Sequence, residues 1–407
     1  MRNKPIFYWV FMLSACALLA IGRMYDERLL ILNINLSVII SIFYLVTIIP
    51  ILLSIKRISI NKTKFFFYLF YFLCLIMAPI LWVFFGVNGY GTEKYINFLL
   101  IIVPISVIIL EKYDLKDVKY TLLLLVGVSC FLALLALFDL ASSDRVDGRM
   151  AALGGGPIVF ARWMGLGIIV LFFMPLDIKK IYKYILIAIF FILALASGSR
   201  GPILSLVLTF SLFIALNFNR VIVKLIVLSF FIISMLLVSG ASDKISEIGG
   251  FDRVFMNVSK KGGSTQSTST RMDLTLGSFV VFQNYPLGVG AGNWRPVVNK
   301  IQPDHLIALE YPHNLLFEVG NEYGIFVLII LLLTLIFTVY MSFKKMLKYR
   351  GATSLYPLLF YLLIFFFLNS LVSGMLNDSR ILFVIISMIL IKIPLVIKEQ
   401  ERQSFLL

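Results

Sequence analysis

His313, one of two histidines in a chain of 407 residues, stands in the run Tyr311-Pro312-His313-Asn314-Leu315-Leu316-Phe317-Glu318. An imidazole changes charge near neutral pH, so it can take or hand over a proton without a metal. A lone histidine at a membrane edge is also a common structural group held by hydrogen bonds. If the run is helical, His313 and Phe317 share a face and Glu318 lies one turn on, a candidate carboxylate for substrate binding. Arg200 sits in Ser197-Gly198-Ser199-Arg200-Gly201-Pro202, a very short connection between two apolar segments. There its guanidinium either reaches lipid phosphates or presents a planar fork to a pyrophosphate. Arg271 heads the stretch 271–282, which follows the hydroxyl-rich 267–270 and reads as an interfacial helix. Free N–H groups at such a helix start favour an anion. The bland alternative is a solvated loop arginine.

The elements that must hold these residues are membrane helices. Hydrophobic residues make up 60% of the chain and charged residues 14%, whereas a soluble domain has about a quarter of its residues charged. The fold class expected is an all-α integral membrane protein with about twelve transmembrane helices and one long extracytoplasmic loop containing short helices. The spans fall near 5–22, 29–55, 65–86, 96–110, 119–140, 158–176, 182–197, 203–218, 222–239, 312–341, 354–375 and 380–397. The chain divides into 1–240 with helices 1–9, the loop 241–311, and 312–407 with helices 10–12. Basic residues cluster in alternate short loops: Lys56, Arg57, Lys62 and Lys64; Lys112, Lys116 and Lys119; Lys179, Lys180 and Lys183; Lys344, Lys345, Lys348 and Arg350. That is the positive-inside pattern, with both termini cytoplasmic and the long loop outside.

The same pattern accounts for the net charge of +15 as an insertion signal, and no nucleic acid is implied. Cys16, Cys74 and Cys130 all lie in apolar runs, which suggests neither a disulfide framework nor a thiolate metal site. No HExxH or Asp-x-Asp occurs, and no cofactor motif is complete. The glycines of 284–294 lack the strand and helix a dinucleotide fingerprint needs; they read as a tight turn where backbone approaches a substrate or the next helix. Asp26 and Glu27 could act as an alternative base or simply solvate their turn. Tyr285, Trp294 and Tyr311 offer flat faces for sugar rings, or serve as interfacial anchors.

Taken in order, Ser197 to Gly201, then Arg271 in the long loop, then Tyr285 to Trp294 (YPLGVGAGNW), then His313 to Ile325 (HNLLFEVGNEYGI) resemble the O-antigen polymerase/O-antigen ligase family of bacterial envelopes. Arg149 and the Gly154–Pro157 segment resemble that family's arginine and Gly/Pro stretch before a central span. The resemblance implies a metal-independent glycosyltransferase in the bacterial inner membrane, with its site on the periplasmic face. Its donor would be a glycan on undecaprenyl pyrophosphate. Arg200 and Arg271 would bind the pyrophosphate, and His313 would assist the acceptor hydroxyl or the departing phosphate. A flippase and a chain-length regulator are the implied protein partners.

Departing pyrophosphate gains negative charge as the glycosidic bond breaks, so fixed arginines favour the transition state over the ground state. A polymerase, whose acceptor is also lipid-linked, needs a second anionic site, for which Arg149, Arg162, Arg253 and Arg380 are spare. That favours polymerase over ligase. Twelve spans would also suit a polysaccharide transporter or flippase, but here the charges gather at one face and in one asymmetric loop.

Overall fold

A computed structural model describes residues 4–31, 34–138, 150–152, 156–176, 178–217, 263–303, 306–349 and 354–391. The expected span at 222–239 lies outside them. The described chain is helical save for one short hairpin, Leu30–Ile31 (β1) against Ile34–Asn35 (β2), with Leu30 opposite Asn35. Among the described residues, eight helices are long and apolar enough to cross a bilayer, and Ile6–Ile21 (α1) and Arg380–Leu390 are shorter apolar ones.

Local sequence explains the boundaries. The expected span at 29–55 starts only at Leu36, because the hairpin comes first and Asn35 then caps Leu36–Leu53 (α2), accepting from Ser37 and Val38 amides. Asn61 caps Lys62–Phe85 (α3) and Asn88 caps Gly89–Asn97 (α4) in the same way. The latter continues through a π-turn, Phe98–Ile102, into Val103–Lys112 (α5). Pro104, in the first turn of α5, cannot donate the next backbone bond, and the widened turn absorbs the gap. Asp114 and Asp117 form a capping box on Leu115–Leu137 (α6). Gly156–Phe173 (α7), Lys180–Ala196 (α8) and Arg200–Asn217 (α9) complete the first half.

The second half holds the larger departure from expectation. In the long loop, Gly263–Asn284 (α10) is followed by Trp294–Ile301 (α11). The apolar run at 312–341 is two helices: a nine-residue Leu315–Tyr323 (α12), then Ile325–Lys348 (α13). Gly324 breaks them at φ 90°, and a Cβ there would lie 2.3 Å from the Leu287 carbonyl oxygen. Tyr356–Ser373 (α14) and Arg380–Leu390 (α15) follow. Two-thirds of the apolar windows of α7 and α14 are buried, against one-third for α2, α3 and α13. The former pair is therefore central and the latter three face outward. A second, smaller core of Leu274, Val281, Val289, Trp294, Val297, Val298 and Ile307 knits α10 to α11.

The alternating glycines find their reason in backbone contact. Gly288, Gly290 and Gly292 all have positive φ, and a Cβ on Gly292 would meet the Gly91 Cα at 2.4 Å. The 284–294 turn is thus pressed against the start of α4, the helix-packing alternative of its two readings. Gly292→Ala is expected to cost about 1–3 kcal/mol, read as a lower unfolding temperature in detergent. Gly127→Ala, which meets nothing within 4 Å, is expected to leave that temperature unchanged or raise it.

Candidate functional site

Arg200 is the first residue of α9, exposed, just after Gly198 turns the chain at φ 62°. The helix-start argument that sequence placed at Arg271 belongs here instead. Arg271 lies well inside α10, which begins at Gly263, so its own backbone amide is not a free one. Its side chain is still within electrostatic reach of Arg200. Crowding by protein atoms and then the Arg200 charge hold the Arg271 guanidinium below its ordinary value. Neither arginine pairs with a carboxylate of a described residue.

His313 is reached from the other side. It precedes α12, so it does not share a helical face with Phe317 as expected. It is the one non-glycine described residue with positive φ, 55°, a backbone state costing on the order of 1 kcal/mol or more. The strain is over-determined locally. Asn314 caps α12, accepting from the Leu316 and Phe317 amides at 2.9 and 3.2 Å, while its Nδ2 donates to the Leu371 carbonyl at 2.9 Å. The Tyr311 ring leans on the imidazole with centroids 4.3 Å apart. Phe279 of α10 meets Phe317 edge-on at 5.2 Å, docking the Arg271 helix beside the turn. Burial first, and the Arg271 charge second, lower the pKa of His313; Asp378 and the Ser373 backbone pull the other way. Arg200, Arg271 and His313 thus lie within electrostatic reach of one another in a chain, Arg200 to Arg271 and Arg271 to His313.

The other candidates go elsewhere. Arg149 and Arg253 lie outside the described residues; Met150, next to the former, donates to the Ala196 carbonyl at 3.4 Å, beside the Arg200 turn. Tyr285 is half-buried, edge-on to Phe85 at 5.3 Å. Trp294 is fully buried in the small core, so the sugar-facing reading gives way: its area is used to hold the loop helices together. Glu318 is also fully buried and is no substrate ligand. It and Glu322, one turn on, both bond the ammonium of Lys94 from α4. Glu318 also accepts from the Leu376 amide at 2.7 Å. Of the spare arginines, Arg380 is committed to carbonyls of Leu19, Ala20 and Asn377.

Lys94 is the residue that sequence reading missed. A lysine in an apolar segment requires an anionic partner, and Asn88 ahead of it is a helix cap, but Gly86–Lys94 reads as loop when spans are sought by hydropathy. Removing one member of a buried ion group costs about 3–5 kcal/mol. Lys94→Met is expected to lower the unfolding temperature sharply, because it leaves two carboxylates without their cation. Glu93→Gln, an exposed neighbour, should have little effect.

The fold and the site together define a multi-pass, all-helical membrane protein with a histidine and an arginine pair that no carboxylate among the described residues meets. Residues 184–332, the stretch that carries all three, match the family model described as O-antigen ligase. That stretch is thus similar to a domain of the O-antigen polymerase/ligase family, in the place where the motif order implied it. No curated protein matches it.

Proposed function

We propose that the protein transfers a glycan from undecaprenyl pyrophosphate to a sugar hydroxyl at the periplasmic face of the bacterial inner membrane, both termini being cytoplasmic. In the primary reading the hydroxyl belongs to the next lipid-linked repeat, which makes the enzyme a surface-polysaccharide polymerase. The observation that carries the transfer chemistry is the pair Arg200–Arg271: two cations brought together without a carboxylate among the described residues, beside a histidine held neutral. Like charges repel, so the arrangement is stable in use when an anion sits between them. A diphosphate fits that demand, and its charge rises as the glycosidic C–O bond breaks and the electron pair passes to the leaving oxygen. A ring nitrogen of neutral His313 accepts the hydroxyl proton as the new C–O bond forms.

A ligase, whose acceptor is lipid A–core, would use the same three residues, and the description of the matched family favours it. The argument from spare arginines now rests on fewer residues, since Arg380 is already bonded to backbone. Deletion of the gene separates the two: single-repeat lipopolysaccharide marks a polymerase, and bare core with accumulated lipid-linked polymer marks a ligase.

The transfer chemistry is tested in vitro with purified protein and defined undecaprenyl-linked repeats, without nucleotide sugar or added metal. Arg200→Ala, Arg271→Ala and His313→Ala should each insert normally and lose about 10²-fold or more in rate; normal polymer from all three would overturn the reading. Because His313 is held below its ordinary value, its neutral form persists as pH falls past about 6.5. The acid limb of the rate should therefore lie below that pH.

A further inference from the structure

Arg162, on central helix α7, takes no part in this scheme, yet it is 6% exposed and its Nε has no partner. An arginine in a span is unfavourable by up to about 2.5–3.5 kcal/mol, less near the interface, so its retention calls for a use. Arg380, close by across a small cavity that Asp378 also lines, bonds three backbone carbonyls and pairs with Asp378 at 3.6 Å. Arg162 instead donates from Nη2 to the Ser373 hydroxyl at 2.7 Å, with the Asn369 carbonyl at 3.4 Å. Ser373 is the last residue of α14. Leu371, two residues earlier, receives Asn314, the neighbour of His313. The final turn of α14 is therefore held both by Arg162 and by the histidine turn.

We propose that Arg162 is a positioning residue for His313, acting through the final turn of α14, which it and Asn314 both hold, and keeping a buried cation near the ring. The inference rests on the reading of His313 as the base. The groups that act on the imidazole come from each neighbouring element: Arg271 from α10, Arg162 from α7, Asp378 from the turn before α15, and Tyr311 from its own loop. A nearby cation opposes protonation of the ring, so Arg162 and Arg271 both widen the pH range over which His313 stays neutral.

The test is a ¹⁵N-histidine NMR titration of the full-length protein in detergent, with His305→Gln so that one imidazole remains. Arg162→Gln should raise the His313 midpoint above that of the wild type, and the acid limb of the polymerisation rate should rise with it. Arg162→Lys, which keeps the charge, should leave the midpoint near wild type. Arg162→Met, free of the insertion penalty, gives the same test as glutamine if that variant folds poorly. An unmoved midpoint in both uncharged variants overturns the proposal, as does an equal rise in the lysine variant. The titration needs no substrate. Normal polymer from His313→Ala, alongside the shifted midpoint, would count against the base reading and leave the placement of Arg162 standing.

Discussion

The buried ammonium of Lys94, bonded by Glu318 and Glu322, is the constraint around which the outer half of the molecule is arranged. Three charges withdrawn from water are tolerable only where geometry and extra donors compensate. Here the Leu376 amide donates to Glu318. Asn377 in turn donates to the Lys94 carbonyl, and Gly290 to that of Glu322. Four separate stretches of chain thus converge on one cluster: α4, the glycine turn, α12, and the turn before α15. Because α12 begins directly after His313, the cluster determines where the imidazole stands.

Positive charge is handled in two opposite ways within a short distance. Arg380 spends its donors on the end of α1 and the neighbouring turn, which is structural use. Arg200 and Arg271 are set against each other without a described carboxylate, an arrangement that serves folding poorly and anion binding well. The contrast separates arginines that hold the scaffold from arginines that the scaffold holds, and it rests on partners, since all of them lie near the same edge.

Residue type and chain order made much of this legible. The all-helical membrane class followed from hydropathy, and Arg200, Arg271 and His313 followed from chemistry in an otherwise apolar chain. What stayed hidden depends on contacts between distant segments. Glu318 looks like a site carboxylate until Lys94, more than two hundred residues earlier, is seen against it. Trp294 looks like a sugar platform until the small core closes around it. The break at Gly324 is invisible to hydropathy because both flanks are apolar; only the Leu287 carbonyl passing close by requires a glycine there. Helix starts were misplaced for a related reason. A cap such as Asn35 is readable, but α10 extends upstream into a Gly/Ser/Thr-rich stretch whose composition argues for a loop.

That break at Gly324 has a mechanical consequence. A bilayer that thickens or thins makes a long helix such as α13 tilt to keep its apolar length covered. Were α12 continuous with α13, every such tilt would swing His313 against the arginines. With a hinge between them, and with α12 clamped by ion pairs to α4, the tilt is taken up at one residue. The chemistry is thereby insulated from the elastic state of the membrane that surrounds it.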